Sequence, residues 1–304
     1  MNEHGTTARR WLPALALLVL SLVWGYTWVM AKQGLAHAPP LAFAAQRCLG
    51  GTAALFLALK LLGRPLRLQA PWQTIAIGLT QGTAFVLCQT WALLVSGPGK
   101  TAVLIYTMPV WTLVLAWPVL GERVRGTQWI AALGALAGLL LIIEPWKLHA
   151  GLAGSALGIA AAMFWAIGTI LVKRLRARQR VDLLSLIAWQ LLVSTVPLVL
   201  LMWLVPERAT DWSTDYMGIL VFMAVASTAL CWCLWTYILD RVPAWEASLS
   251  VLGTPVVALV SSRIVIGERF SASEIAGIGL IGGGLALLSF LGWLAARRNA
   301  LRQA

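Results

Sequence analysis

The chain has 304 residues, of which 60% are hydrophobic and 11% are charged, and its formal net charge is +12. No polar region is long enough to form a separate soluble domain, so the composition predicts a single membrane domain. The basic residues are dispersed along the chain instead of being gathered on one folded face, which excludes a nucleic-acid-binding surface.

Ten apolar stretches follow one another along the chain, each close to the roughly 20 residues that a helix needs to cross a hydrocarbon core about 30 Å thick. The stretches are continuously apolar, whereas a membrane-spanning strand alternates apolar and polar residues. The pattern therefore predicts an all-α integral membrane protein with ten transmembrane helices. In chain order, helices 1 to 10 are predicted over residues 11–31, 41–62, 72–94, 101–120, 127–143, 151–172, 183–205, 216–239, 244–266 and 273–294.

The distribution of lysine and arginine predicts the orientation. With both termini in the cytoplasm, sixteen basic residues fall on the inner side and six on the outer side, as the positive-inside rule requires. The segment KRLRARQR at 173–180 is the strongest single anchor. The first apolar stretch lacks a convincing cleavage site, so we expect it to remain as an anchor. The basic inner side is expected to attract anionic membrane lipids.

The two halves of the chain contain an internal repeat. The segment at 99–123 matches the segment at 245–269, and in both copies the glutamate of a Gly-Glu-Arg motif lies thirteen residues after a shared proline, Pro109 or Pro255. Other pairs keep slowly drifting offsets, as loop insertions would produce: Trp24 with Trp165, Lys32 with Lys173, Gln46 with Gln190, and Trp91 with Trp235. We therefore predict a first five-helix repeat over residues 1–146 and a second over 147–304.

An odd number of helices in each repeat has a geometric consequence. The second copy must enter the membrane from the opposite side to the first, so the repeats are inverted. Inverted repeats allow two conformations of similar energy, each open to one side, because each repeat can adopt the shape of the other. This architecture is typical of a carrier.

The sequence of the chain resembles the drug/metabolite transporter superfamily, specifically its EamA-type ten-helix members. The resemblance covers essentially the whole chain and rests on an arginine early in helix 2, on a mid-helix proline followed by Gly-Glu in helices 4 and 9, and on a duplicated tryptophan in helices 1 and 6. The residues concerned are Gln46-Arg47, Pro109 with Gly121-Glu122, Pro255 with Gly267-Glu268, and Trp24 with Trp165.

The resemblance implies a secondary carrier of the bacterial inner membrane, in which helices 1–4 and 6–9 line a central cavity and helices 5 and 10 lie at the periphery. Many members export amino acids or related metabolites. The chain departs from a symmetric pattern in helix 7, where Leu191 occupies the position that matches Arg47. Only one half can supply that charge.

Arg47 is the only basic residue predicted well inside a helix. It lies about seven residues from the outer end of helix 2, or roughly 10 Å deep, where an unpaired charge costs several kcal/mol. Its guanidinium could bind a substrate carboxylate in bidentate fashion. Alternatively, Arg47 reaches back to the interface or bonds carbonyls at a helix end.

Other polar and aromatic residues complete the predicted substrate site. Gln46 and Gln190 recur in both repeats and could bind a zwitterion or link helices, whereas Gln81 and Gln89 are expected to link helices. Trp24, Trp165 and Tyr106 are the leading candidates for apolar cavity walls, and four further tryptophans are also predicted to lie deep in the membrane: Trp28, Trp111, Trp189 and Trp232.

Two repeated pairs suggest mechanical roles. Pro109 and Pro255 each remove a backbone hydrogen bond, to the carbonyls of Ile105 and Val251, and are predicted to act as hinges or to shape the cavity rather than to give static curvature. Glu122 and Glu268 close helices 4 and 9 and are predicted to cap the helix that follows, rather than to take part in transport chemistry.

Small residues in helices 5 and 10 predict close helix packing, either within the chain or in a homodimer. They are Gly134, Gly138, Gly279, Gly283 and Gly284.

Several absences limit the chemistry. The three histidines fall in tails or loops, no hydrolase, metalloprotease or phosphate-binding motif occurs, and the four cysteines lie inside predicted helices. We therefore expect no enzyme activity, no metal, no cofactor and no disulfide. No acidic residue lies near the centre of a predicted helix, which disfavours a cationic substrate.

The sequence thus predicts an alternating-access carrier that exports amino acids or related small anionic or zwitterionic metabolites. The alternative within the same class is a broad exporter of aromatic or hydrophobic drug-like compounds, favoured by the seventeen tryptophans. A lipid-modifying membrane enzyme would need clustered acid, base or metal residues, which the short loops lack. A channel or sensor would be separated from a carrier by a test for concentrative transport.

Overall fold

The computed structural model describes residues 4–96, 101, 104–124, 126–143, 152–266 and 271–303. Within these ranges every regular element is helical, which confirms the predicted all-α class. We number the helices α1 to α10 to follow the ten predicted stretches. They are α1 (His4–His37), α2 (Pro40–Leu61), α3 (Pro71–Ile77, Gly78–Ala84 and Phe85–Ser96), α4 (Met108–Leu120), α5 (Gln128–Ile143), α6 (Leu152–Arg178), α7 (Leu183–Leu204), α8 (Thr214–Val221, Phe222–Leu230 and Cys231–Leu239), α9 (Ala244–Ser250 and Gly253–Ile266) and α10 (Ala272–Gln303).

Five stretches in the described part of the chain are long and apolar enough to cross a membrane: Leu12–His37, Pro40–Leu61, Ala153–Arg178, Leu183–Leu204 and Thr214–Leu239. Shorter apolar helices occur in α4, α5 and α10. Large apolar side chains on the outside of the bundle, such as Leu61, Trp203 and Ile264, are 75–79% exposed. An outer surface of this kind suits a hydrocarbon solvent, so the chain is a multi-pass membrane protein.

The packing of the helices repeats when the two halves are exchanged. Helix α1 contacts α9 and α8, as α6 contacts α4 and α3, and α2 contacts α8 as α7 contacts α3. Helices α2 and α7, α4 and α9, and α5 and α10 each contact their own counterpart. This pattern is what two repeats of five helices around a shared pseudo-twofold axis produce.

Helices α3 and α8 each contain a π-helical segment at the same place in the repeat. Gly78 begins the first segment and Phe222 the second, and these residues are 144 positions apart, as are Trp91 and Trp235. π-Helical turns occur mostly inside α-helices and often at functional sites. The sequence pattern did not reveal them.

A glycine in the first π segment allows α3 and α7 to approach closely. A Cβ atom on Gly82 would lie 1.7 Å from Ser194 Oγ. The Ser194 hydroxyl donates to the Gly78 carbonyl over 2.9 Å, and the Thr83 hydroxyl donates to the Ser194 carbonyl over 3.2 Å. Hydrogen bonds from side chains to backbone carbonyls thus join the two helices where they approach closely.

We expect Gly82→Ala to destabilise the protein by about 3 kcal/mol, because the added methyl group overlaps the Ser194 side chain and the backbones must move apart. Thermal unfolding of the purified protein in detergent measures this loss. Gly134→Ala is the matched control, since a Cβ atom there meets nothing within 4 Å. Adding Ser194→Gly to the Gly82 variant should restore part of the stability, and a failure to do so contradicts the steric explanation.

Helices α5 and α10 pack against each other through small residues. A Cβ atom on Gly138 would lie 2.7 Å from the Gly277 carbonyl oxygen, and one on Gly284 would lie 2.8 Å from that of Ala131. A Cβ atom added at Gly134, Gly279 or Gly283 would have no neighbour within 4 Å. Part of the predicted glycine pattern therefore serves packing within the chain, and the homodimer contact stays a prediction.

Candidate functional site

A cavity of about 120 Å³ lies between the two repeats near the middle of the bundle. Its lining comes from α1, α2, α3, α6, α8, α9 and the residues around the start of α4, so both repeats contribute. The lining residues are Trp24, Thr27, Trp28, Arg47, Cys48, Phe85, Val86, Gln89, Ile105, Tyr106, Met108, Trp165, Ser227, Thr228, Trp232, Val251 and Thr254.

The cavity lies where helix 4 and helix 9 of the prediction are interrupted. A turn at Tyr106-Thr107 precedes α4, and a turn at Val251-Leu252 divides α9. Pro109 and Pro255 lie in the first turn after each interruption, where a missing N–H is tolerated. The Val251 carbonyl, which we expected to be released by Pro255, accepts a hydrogen bond from Thr254 N at 2.8 Å. The prolines therefore begin new helical segments instead of kinking continuous helices.

Arg47 lines the cavity from α2. Its side chain is half-buried, and no hydrogen bond or ion pair joins it to any other residue within the described ranges. The lining includes no carboxylate. An unpaired guanidinium in a partly dehydrated cavity can bind an anion with two parallel hydrogen bonds.

Aromatic side chains form a connected wall around Trp165. The Trp165 ring centroid lies 5.6 Å from that of Trp24 and 6.0 Å from that of Trp232, both with edge-to-face geometry, and 5.0 Å from that of Phe85. Tyr106 closes another part of the wall, and its hydroxyl accepts a hydrogen bond from Trp28 Nε1 at 2.8 Å. Trp24, Trp165 and Tyr106 thus lie together beside the cavity.

Hydroxyl groups supply the rest of the polar lining. The Thr27 hydroxyl donates to the Val23 carbonyl over 2.7 Å and lies 2.8 Å from Ser227 Oγ. Trp24 Nε1 donates to the Ser227 carbonyl over 3.0 Å. Ser227 belongs to the π segment of α8, so this segment brings polar groups to the cavity.

The repeated glutamines lie outside the cavity lining. The Gln46 amide donates to Thr210 Oγ1 over 3.1 Å and accepts a hydrogen bond from the Tyr216 hydroxyl. Gln190 donates to Gln81 Oε1 over 3.0 Å. Both therefore connect helices in this conformation and do not line the cavity, so their role in binding substrate stays a prediction. Gln89, which we expected to connect helices, lines the cavity instead.

Glu122 and Lys173 link helix ends at one end of the bundle, which we call the basic end. It is formed by the end of α4, the end of α6 and the α8–α9 turn. Glu122 Oε2 accepts a hydrogen bond from Ala244 N at 2.6 Å, and Lys173 Nζ lies 3.8 Å from Glu122 Oε1. Lys173 also donates to the carbonyls of Leu239, over 2.7 Å, and Val242. Glu122 was predicted to cap the next helix, α5, but it bonds to the first residue of α9, in the other repeat. Its counterpart Glu268 lies outside the described residues.

The α7–α8 connection at the opposite end is fixed to α1 and α2. Glu207 accepts hydrogen bonds from Leu41 N at 3.2 Å and Ala42 N at 2.9 Å, at the beginning of α2. Arg208 donates to the carbonyls of Leu35 and Ala36, each over 2.9 Å. This arrangement holds the beginning of α2, about two turns from Arg47, in a defined position.

Known proteins of similar sequence span nearly the whole chain. A Bacillus subtilis protein named as the uncharacterized transporter YoaV is 28% identical over 282 residues, covering 91% of this chain and 96% of that protein. A Salmonella typhimurium protein named "Probable amino-acid metabolite efflux pump" is 31% identical over 286 residues, covering 89% and 92%. One solved crystal structure superposes with a TM-score of 0.78 at 20% identity, covering 91% of this chain and 98% of the other, which shows that the fold is shared.

One protein family, described as the EamA-like transporter family, matches the chain twice. The matches cover residues 11–144 and 152–290, one in each half. This doubling agrees with the two sets of five helices and with the symmetric packing between them. On these grounds the chain belongs to the EamA-like transporter family.

Proposed function

We propose that this protein is a secondary transporter that moves small anionic or zwitterionic metabolites, amino acids or their relatives, by alternating access. The observation that carries the proposal is Arg47, a charged side chain lining a cavity between the repeats with no acceptor among the described residues. A charge left unpaired in a dehydrated site is costly, and a substrate carboxylate would remove that cost.

The remaining lining suits the other parts of such a molecule. Thr27 and Ser227 offer hydroxyl groups, and Gln89 offers a carboxamide that can accept from an ammonium group. Trp24, Trp165 and Tyr106 offer apolar surface for a side chain. Arg47 would fix the carboxylate, and the aromatic wall would select by size and polarity.

Alternating access is supported by the exchange symmetry of the helix contacts. In this conformation the Glu122 and Lys173 contacts close the basic end. If each repeat adopts the conformation of the other, the contacts at the basic end open and the equivalent contacts at the opposite end form. The interruptions at Thr107 and Val251 are positions where helical segments can change direction without breaking regular hydrogen bonds.

The basic end is the proposed cytoplasmic side of a bacterial inner membrane, with both termini in the cytoplasm. The sequence assigns sixteen of the 23 lysines and arginines to that side, counting the termini. Export is the proposed direction, because two of the relatives, from Salmonella typhimurium and Escherichia coli, are each named "Probable amino-acid metabolite efflux pump".

The test is a thermal-shift screen of the purified protein against L-amino acids and their amides, followed by counterflow in proteoliposomes. Amino acids should raise the melting temperature and exchange across the membrane, whereas amides, which lack the carboxylate, should do neither at the same concentration. Equal responses to both series would contradict a carboxylate site. In the counterflow assay, a gradient of a second substrate should drive the labelled substrate above its equilibrium concentration. If labelled substrate never rises above that concentration, the protein would be a channel.

A second candidate function is export of aromatic or hydrophobic drug-like compounds. The observation that favours it is the number of aromatic side chains around the cavity, including Trp24, Trp28, Trp165 and Trp232. Neutral aromatic dyes should then compete in the counterflow assay, and replacing Arg47 should leave their transport unchanged.

A further inference from the structure

A second cavity, of about 410 Å³, lies on the surface of the basic end, between the end of α4 and the end of α6. Its lining is Pro118, Val119 and Leu120 from α4 and Arg174, Ala177 and Arg178 from α6. It shares no lining residue with the central cavity. We call it the α4–α6 groove.

Two arginines line one side of the groove. Arg174 and Arg178 are both exposed and are one helical turn apart, and neither has a hydrogen bond or ion pair within the described ranges. Arg176, between them in sequence, faces the bundle, where it bonds Asp240 through Nε at 2.9 Å and donates to the Val181 carbonyl. The helix thus uses one arginine for packing and presents two to the groove.

The opposite side of the groove is apolar and continues along the membrane-facing surface of α4. Pro118 and Val119 of the lining are both exposed, and Val114, one helical turn before Pro118 and on the same face, is 53% exposed. A ligand here meets positive charge at one end and apolar helix surface at the other.

From this arrangement we propose that the α4–α6 groove binds the headgroup of an anionic phospholipid, with its phosphate between Arg174 and Arg178 and its acyl chains along α4. The membrane-length segment of α6 ends at Arg178, so we expect the two guanidinium groups to lie near the level of the lipid phosphates. Guanidinium groups bind phosphate oxygens in bidentate fashion, and no carboxylate among the lining residues competes with them. The proposal does not depend on the identity of the transported substrate.

The test compares lipid binding to the full chain in detergent, with native mass spectrometry to count retained lipids and thermal unfolding to measure protection. Phosphatidylglycerol should be retained and should raise the melting temperature more than phosphatidylcholine. Arg174→Gln with Arg178→Gln should weaken phosphatidylglycerol binding by about 25-fold, since each basic residue near the surface contributes about fivefold.

Two controls separate a built site from general surface charge. Arg67→Gln with Arg180→Gln removes two exposed charges from the same end but outside the groove, and should leave the retained lipid unchanged. Ala177→Trp keeps both arginines but fills the groove, and should lower lipid binding. Equal losses in the two arginine pairs, or no loss with Ala177→Trp, would overturn the proposal.

A soluble anion is the remaining competitor for the same chemistry. Inorganic phosphate and glycerol 3-phosphate, which lack acyl chains, should give no protection at concentrations where phosphatidylglycerol does. Equal protection by glycerol 3-phosphate would make the groove a soluble-anion site and contradict the lipid assignment.

Discussion

Replacing Arg47 by glutamine is expected to lower transport of a carboxylate substrate by about a hundredfold, because loss of a charge-assisted hydrogen-bonded pair costs about 3 kcal/mol. Arg47 lines the central cavity and has no hydrogen bond or ion pair within the described ranges, so its replacement removes no polar contact with those residues. The defect should therefore appear in transport and in ligand-induced thermal shift, while the melting temperature of the ligand-free protein changes little.

The comparison that isolates the charge uses pairs of substrates. The Arg47→Gln protein should transport an amino acid about as poorly as the wild-type protein transports the corresponding amide. Arg47→Lys, which keeps the charge but loses the planar fork, should be intermediate. Arg64→Gln serves as the control, since Arg64 is 59% exposed and pairs with Asp182 at the basic end over 3.4 Å. Losses of the same size for amino acid and amide would refute charge pairing.

Replacing Glu122 by leucine is expected to destabilise the closed basic end by about 3 kcal/mol, because it leaves the Ala244 N–H and the Lys173 ammonium group without their carboxylate. The side chains of Lys173 and Glu122 are only 20% and 17% exposed, so water replaces the lost contacts poorly. Under alternating access, a change of this size shifts the balance between the two conformations by about a hundredfold. Hydrogen exchange at Ala244 N–H measures the loss of stability at the basic end, and the rate of counterflow measures the shift between the two conformations.

Glutamine at position 122 separates capping from ion pairing. Its amide oxygen can still accept from Ala244 N, which lies 2.6 Å from the carboxylate, whereas the ion pair with Lys173 spans 3.8 Å. We therefore expect Glu122→Gln to retain most of the protection at Ala244 and to cost about 1 kcal/mol. If Glu122→Gln proves as damaging as Glu122→Leu, the ion pair, not the cap, holds the basic end closed.

The helices and their order could be predicted because hydropathy reports each crossing of the bilayer independently of the others. The repeat was visible for the same reason, since paired positions such as Pro109 and Pro255 keep their spacing. The π segments were not predicted: their extra residue changes the backbone hydrogen bonding without changing the apolar composition that reveals the span.

The cavity was predicted only in part. Arg47, Trp24, Trp165 and Tyr106 lie in its lining, but Gln46 and Gln190 do not. A helix that is apolar on every side gives no sign of which side faces the centre, so a glutamine at membrane depth could not be assigned to cavity or contact. The bond from Ala244 to Glu122 joins residues far apart in sequence, and a local rule about helix ends pointed to the wrong helix.

The exchange symmetry of the helix contacts divides substitutions into two thermodynamic classes. Contacts between a helix and its own counterpart, such as α2 with α7 or α5 with α10, are present in equivalent form in both conformations of the proposed cycle. Weakening them lowers the stability of both conformations alike and leaves the occupancy ratio unchanged. Other contacts change places when the repeats exchange conformation. The α1–α9 contact takes the form of the α6–α4 contact, and the reverse, so these contacts differ between the two conformations. A substitution at such a contact changes the free energy of one conformation relative to the other. These positions therefore determine which orientation the resting protein prefers.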